Sequence, residues 1–260
     1  MIDITKGRYW DEGIELISGC TPCSPGCDHC WSAAQAQRFG GSKLIDEEGC
    51  PHIVENGKFT GEITTYPDRL KRFNTRKPKV FSLWNDLFHE AVSGDFIGEV
   101  FSEIDIFPQN TYLILTKRVK RASWIMDWIG TSDDAPVLQG FPFNNVYFGL
   151  TVCNQQEADE KIPIFLRIPG KKYLSLEPLL APVSLWHFCD FGKCFDAVIL
   201  GGETGHGARP MNPDWAISVV RQCKAAGVPI FVKQIHINGK PSKDMSEWPE
   251  ELRVRELPWH

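Results

Sequence analysis

The chain has 260 residues, a formal net charge of −5 and an apolar fraction of 42%. That length accommodates one soluble globular domain with a large core, the acidic balance excludes a global basic field that would hold nucleic acid, and no apolar run reaches the length of a membrane span. Nine cysteines, an odd number without a secretory signal, exclude a disulfide-stapled secreted scaffold and lead us to expect a reducing cytoplasm, where thiols are ligands or lie buried.

In chain order, residues 13–19 read as a short strand running into Cys20-Thr-Pro-Cys23-Ser-Pro-Gly-Cys27-Asp-His-Cys30-Trp31. Four thiols set among Pro, Gly, Ser, Asp and Thr are loop chemistry, since a core cysteine would alternate with apolar residues. A structural zinc usually takes its ligands from two Cys-x-x-Cys turns separated by about a dozen residues or more. Here the pairs Cys20/Cys23 and Cys27/Cys30 are separated by three residues. An iron–sulfur cubane is larger than one ion, and a single short loop can wrap it. Spacing favours the cluster and leaves a non-catalytic, zinc-stabilised binding module as the competing reading. Cys23, Cys27 and Cys30 also resemble the signature of radical S-adenosylmethionine (SAM) enzymes, in which three thiolates leave one iron open for SAM.

Trp31 to Phe39 reads as a helix ended by Gly40-Gly41. Residues 41–78 are polar and broken by Gly and Pro, an excursion expected to hold a small hairpin and a helix near Asp68–Phe73. Its basic stretch, Lys71, Arg72, Arg76, Lys77 and Lys79, reads as a solvated face in preference to a phosphate-contacting patch. Thereafter strands are expected at 79–84, 111–116, 146–152, 173–176, 197–200 and 230–232, the last one. Helices are expected to end near Ile104, to lie around 123–129, to follow Asn154, and to span 213–226. Near-continuous apolar strands alternating with helices imply an α/β fold with a parallel sheet covered on both sides.

Each of these strands ends in a polar or reactive group: Asp86, Lys117, Cys153, Glu177, Glu203 and Lys233. In a parallel sheet those ends converge on one face, where ligands bind. Taken singly, each has a plain explanation. Asp86 suits a helix cap, Lys117 and Arg118 suit a surface, and Gly201-Gly202 suits a tight turn. Six strands ending alike, with a cysteine loop after the first, argue for a site.

Nearly the whole chain resembles a phage-associated, radical-SAM-like family with a three-cysteine motif. The resemblance rests on Ser24-Pro-Gly-Cys27-Asp-His-Cys30, Asp86-Leu-Phe-His-Glu90, Leu115-Thr-Lys-Arg118, Leu174-Ser-Leu-Glu-Pro-Leu-Leu180, Gly201-Gly-Glu-Thr-Gly-His-Gly-Ala-Arg-Pro210 and Phe231-Val-Lys-Gln234. It implies a single domain over 1–260, a partial or full TIM-like (βα) barrel of the radical-SAM type, with the excursion at 41–78. It implies a 4Fe–4S cluster on Cys20, Cys27 and Cys30, with Cys23 as the alternative to Cys20. The enzyme would cleave SAM to a 5′-deoxyadenosyl radical that takes hydrogen from a substrate, with an external electron donor, in the cytoplasm of the host cell if phage-encoded. The implied substrate is a nucleobase or nucleotide in phage DNA hypermodification, by an isomerase-type rearrangement of an amino-acid adduct on thymine. The alternative is a lyase acting on DNA lesions, resembling spore photoproduct lyase.

The candidate cofactor-binding residues are Trp31, Asp86, Lys117, Thr151, Asn154, Ser175, Glu177, Gly201, Gly202 and Glu203. Asp86 or Glu177 is expected to take the SAM ammonium, and Lys117 or Arg118 its carboxylate. Thr151, Asn154 and Ser175 are candidates for the ribose. Cys153, Glu177 and Lys233 are the candidate catalytic residues. Cys153 stands where the family more often has Glu, either as a hydrogen-atom donor or as a tolerated small substitution. Cys50, Cys189, Cys194 and Cys223 are scattered and read as ordinary thiols.

Overall fold

The computed structural model describes residues 2–39, 52–132, 134–136, 138–188 and 191–259. Eight strands form the main sheet: β1 Glu12–Ile14, β2 Val80–Leu83, β3 Thr111–Thr116, β4 Val146–Thr151, β5 Lys171–Leu176, β6 Ala197–Gly201, β7 Ile230–Ile237 and β8 Lys240–Ser242. Each pairs with the next in sequence, the first seven in parallel and β8 antiparallel to β7. Parallel neighbours require a crossover, and helices supply most of them. Between strands lie α1 Trp31–Arg38, α2 Gly94–Ile106, α3 Val119–Thr131, α4 Gln155–Phe165 and α5 Pro213–Ala226. The result is a mostly parallel sheet curled into a half-barrel and flanked by helices.

Strand alternation explains the two faces. Tyr112, Ile114, Phe148, Leu150, Leu174, Leu176, Val198 and Leu200 join the helices' buried residues in one large core. Their neighbours Leu113, Tyr147, Tyr173, Ile199 and Phe231 form a second apolar cluster on the opposite face. Tyr9 and Trp259 close that cluster, with Trp259 Nε1 donating to the Tyr9 carbonyl at 2.9 Å. Two to four residues further along, the same face turns polar on most of these strands. With a period of two, Tyr147 leads to Gly149 and Thr151, Tyr173 to Ser175 and Glu177, and Phe231 to Lys233. The inner face therefore has an apolar floor and a polar rim at the strands' carboxyl ends.

Several elements differ from expectation. The expected strand at 13–19 is split: Glu12–Ile14 joins the main sheet, while Ile17–Ser18 pairs antiparallel with Thr64–Thr65. The strand expected to be the last continues to Ile237 and turns back into β8. Asn238 and Gly239, both at positive φ (51° and 74°), make that turn, the backbone a tight hairpin needs. Part of the excursion, 41–51, and the expected helix end at Gly40-Gly41 lie outside the described residues. The rest holds a hairpin, Val54–Glu55 with Lys58–Phe59, and a 3-10 helix at Pro67–Phe73. Arg72 and Lys79 there both pair with Glu12. Cys223 is a free, buried thiol, but Cys194 is disulfide-bonded, against its reading as an ordinary thiol. Cys50 and Cys189 lie outside the described residues.

Candidate functional site

The cysteine loop follows Ile17–Ser18 and contains a 3-10 turn, Pro25–Cys27, capped by Ser24, whose hydroxyl accepts from Gly26 N at 3.2 Å. Two arginines from distant strand ends brace it. Arg118, just after β3, donates to the Thr21 carbonyl (2.7 Å), to Cys20 Sγ (3.6 Å), to Asp86 (3.1 Å) and to Glu90 (2.7 Å). Asp86 also accepts from Thr116 Oγ1 (2.7 Å) and from the Lys117 and Phe88 amides. Burial acts to lower the Arg118 pKa, but Asp86 and its other anionic neighbours outweigh it and the net shift is upward. His89 Nδ1 accepts from the Ala91 amide, so in the neutral ring Nε2 carries the proton and donates to Thr21 Oγ1 at 2.9 Å. At the other end, Arg209 donates to the Pro25 carbonyl (2.7 Å), to Asp28 (3.1 Å) and to both oxygens of Glu203. Burial would raise the Glu203 carboxyl, yet Arg209 outweighs it and the net shift is downward.

The four thiols differ in state. Cys23 lies on the exposed side and donates to Cys27, so Cys27 is lowered and Cys23 raised. Burial raises Cys20, and Arg118 partly offsets this. Cys30 immediately precedes the first residue of α1. Opposite them stands Lys117. Burial acts to lower its pKa, but Cys27, Cys153 and Cys30 outweigh that, and the net shift is upward. Its ammonium has no hydrogen bond or ion pair among the described residues. No three His, Cys, Asp or Glu among those residues are grouped to hold a single metal ion. A zinc would need four donors within about 2.3 Å of one point, whereas a cubane spreads its thiolates over separate irons. Thiols on one loop are the donor type that either group takes.

All four cysteines line one cavity of about 170 Å³ at the polar rim. Trp31, Asp86, Lys117, Thr151, Ser175, Glu177, Gly202, Glu203 and Lys233 line it too. Thr151 Oγ1 is buried there without a hydrogen-bond partner among the described residues. Other predicted residues are already engaged. Glu177 accepts from Lys233 Nζ at 2.8 Å and from Gln234 Nε2 at 2.7 Å. Asn154 caps α4 by accepting from the Glu157 amide. Cys153 is fully buried and lies outside the cavity lining, packed beneath the cysteine loop, where a Cβ on Gly26 would meet its sulfur at 2.6 Å. Burial pushes its thiol up to about 12. Side chains beneath Gly201 and Gly202 require the glycines: added Cβ atoms would meet Gln234 Nε2 at 2.8 Å and the His236 ring at 2.5 Å.

Sequence reasoning missed Tyr9, Trp10, Trp84, Asn85 and the role of Arg209. Trp84 stacks edge-on against Trp31 with centroids 5.6 Å apart, and Gly13 leaves the room, since a Cβ there would meet the Trp84 ring at 2.3 Å. Asn85, in the left-handed region (φ 62°), accepts from Ser32 Oγ at 2.6 Å and donates to the Ile17 carbonyl at 2.6 Å. It thereby ties α1 to the start of the loop. Left-handed backbone suits Asn, but nothing local to the sequence around Asn85 marks that turn.

No helix among the described residues is long and apolar enough to cross a membrane. No curated protein matches the chain. Residues 5–251 match the family described as "Protein of unknown function (DUF5131)". With nearly the full length matched, the chain belongs to that family.

Proposed function

We propose that this protein is a radical SAM enzyme acting on a nucleobase or nucleotide. The observation that carries the reading is convergence: the thiols, the Lys117 ammonium and the buried Thr151 hydroxyl all face one cavity, the last two with no hydrogen-bond partner among the described residues. Cys27 and Cys30 are cluster ligands, with Cys20 as the third and Cys23 as its alternative. When bound, the cluster and SAM supply one-electron chemistry that ends in hydrogen abstraction. The protein's part is positional. Lys117 takes the SAM carboxylate, since a cation with no internal partner loses nothing by binding it. Glu177 offers acceptor capacity beyond its bonds to Lys233 and Gln234, and takes the ammonium. Thr151 and Ser175 reach the ribose. Asp86 and Glu203 act through Arg118 and Arg209, holding the loop. The indoles of Trp31 and Trp84 keep solvent from the thiols. The nucleobase assignment rests on the family resemblance.

The test is product detection. Protein reconstituted anaerobically with iron and sulfide, then given dithionite and SAM, forms 5′-deoxyadenosine, and Cys27→Ala forms none. Equal product from wild type and Cys27→Ala, or none from wild type with its cluster loaded, contradicts the proposal. Comparing Cys20→Ala with Cys23→Ala identifies the third ligand as the one whose loss abolishes product.

A further inference from the structure

A second cavity opens beside the first and shares Trp10, Trp31, Trp84 and Lys233 with it. It adds Lys6, Arg8 and Lys243, and Asp3 is the one carboxylate among its described lining residues. This concentration of cations belongs to a chain whose net charge is −5. Like charges separate unless the backbone holds them together, and here Arg255 does the holding. Its guanidinium donates to the carbonyls of Ile4 (2.6 Å), Thr5 (2.8 Å), Val232 (3.0 Å), Lys233 (3.1 Å) and Lys243 (3.0 Å). A guanidinium seated on five carbonyls ties three segments together and adds a positive charge. Gly7 completes the seam, since in its left-handed conformation (φ 67°) an added Cβ would lie 2.8 Å from the Lys233 carbonyl.

Two of these cations are already matched: Lys6 pairs with Asp3 at 3.3 Å and Lys233 with Glu177 at 2.8 Å. Arg8 and Lys243 are exposed, and their side chains make no hydrogen bond or ion pair among the described residues. The groove thus has an electrostatic demand that the described residues leave unmet. Beside it stand indoles, of which Trp31 is 49% exposed. Cations alone would suit any anion. Cations next to flat aromatic faces suit a ligand with a phosphate and a planar heterocycle.

We infer that this groove binds a nucleoside phosphate at the mouth of the candidate site, with the phosphate on Arg8 and Lys243 and the base against Trp10 and Trp31. The ligand is a free nucleotide or one unit of a single strand. The inference deepens the function proposed above and rests on it for the reaction, while the binding itself stands on the groove.

Fluorescence anisotropy of the full chain with a fluorescein-labelled single-stranded oligothymidylate tests it. Wild type binds with salt-dependent affinity. Arg8→Ala/Lys243→Ala loses about tenfold in affinity, and its log–log salt slope falls by about 0.7, the share of the one phosphate the pair holds on a single strand. Lys71→Ala/Lys224→Ala, the same charge change at exposed positions outside the groove, binds like wild type. Thymidine monophosphate that displaces the strand identifies the free nucleotide as ligand, and displacement by strands alone identifies the strand. Three results would overturn the inference: no binding by wild type, a groove double variant that binds like wild type, or an abasic oligomer that binds as tightly as the parent. SAM cleavage is assayed on the same preparation. Loss of cleavage with groove-dependent binding intact removes the radical reading alone, and the converse removes the groove alone.

Discussion

Arg209 is the residue on which the far end of the cysteine loop depends. It donates to Glu203, Asp28 and Pro25 together, and the Glu203 side chain is only 3% exposed against 32% for the arginine. Removing a cation from a buried carboxylate is costly because the remaining charge has no compensation. Arg209→Ala should destabilise the fold by about 2–3 kcal/mol, less than the loss of a fully buried pair because the arginine is partly exposed. Arg209→Lys should recover only part of this, since an ammonium lacks the fork that spans loop and carboxylate. Urea denaturation checks the stability, and iron per chain after reconstitution should fall in parallel. A second prediction concerns Gly149, where an added Cβ would lie 2.3 Å from the Tyr173 ring. Gly149→Ala should cost about 1–3 kcal/mol by overpacking. Gly94→Ala at the first residue of α2, where nothing lies within 4 Å, should be neutral or slightly stabilising in the same assay.

At the scale of elements, α4 carries a pH dependence. Glu157 accepts from the Cys153 amide at 2.8 Å and pairs with Lys161. Burial raises its carboxyl, but Lys161 and the Cys153 amide outweigh burial, so its folded pKa lies below its ordinary value. A depressed carboxylate contributes stability above its unfolded pKa, near about 4.3, and that contribution is lost as pH falls through the folded value. Glu157→Gln should therefore cost about 2 kcal/mol at neutral pH, and the gap to wild type should shrink towards pH 3. A gap that stays constant across that range would show that the carboxylate's charge plays no part. The hairpin between β7 and β8 gives a sharper case. Gly239 sits at φ 74° with open space where a Cβ would point. Gly239→Val should destabilise the hairpin through backbone strain alone, by about 1–2 kcal/mol in urea denaturation.

For the molecule as a whole, the sheet was legible because its strands are nearly unbroken apolar runs buried on both faces, as Val146–Thr151 is throughout. The helix over Pro213–Ala226 was legible from Asn212 before it, Pro213 at its first position and Gly227 after it. Asn238-Gly239 was a readable hairpin signal that the strand ending at Val232 passed over. The split of the 13–19 segment was less readable, because Ile17–Ser18 takes its partner from Thr64–Thr65, across the whole loop and first helix. The candidate site follows the same division. Strand-end positions such as Lys117 and Glu177 follow from alternation, whereas the bracing of the loop does not. Arg118 lies 98 residues from Cys20, and Arg209 lies 181 from Asp28. No local pattern encodes a choice of partner at that separation. Asp86 and Glu203 were legible as rim residues, but their service to those arginines was not.

We propose that this braced loop holds an iron–sulfur cluster with one iron open to SAM. The most direct measurement is iron and sulfide analysis of anaerobically reconstituted protein, followed by electron paramagnetic resonance of the reduced form with and without SAM. The account predicts roughly four irons and four sulfides per chain and a spectrum that changes when SAM is added. One zinc, no sulfide and no SAM-dependent signal would contradict it and make the loop a structural staple.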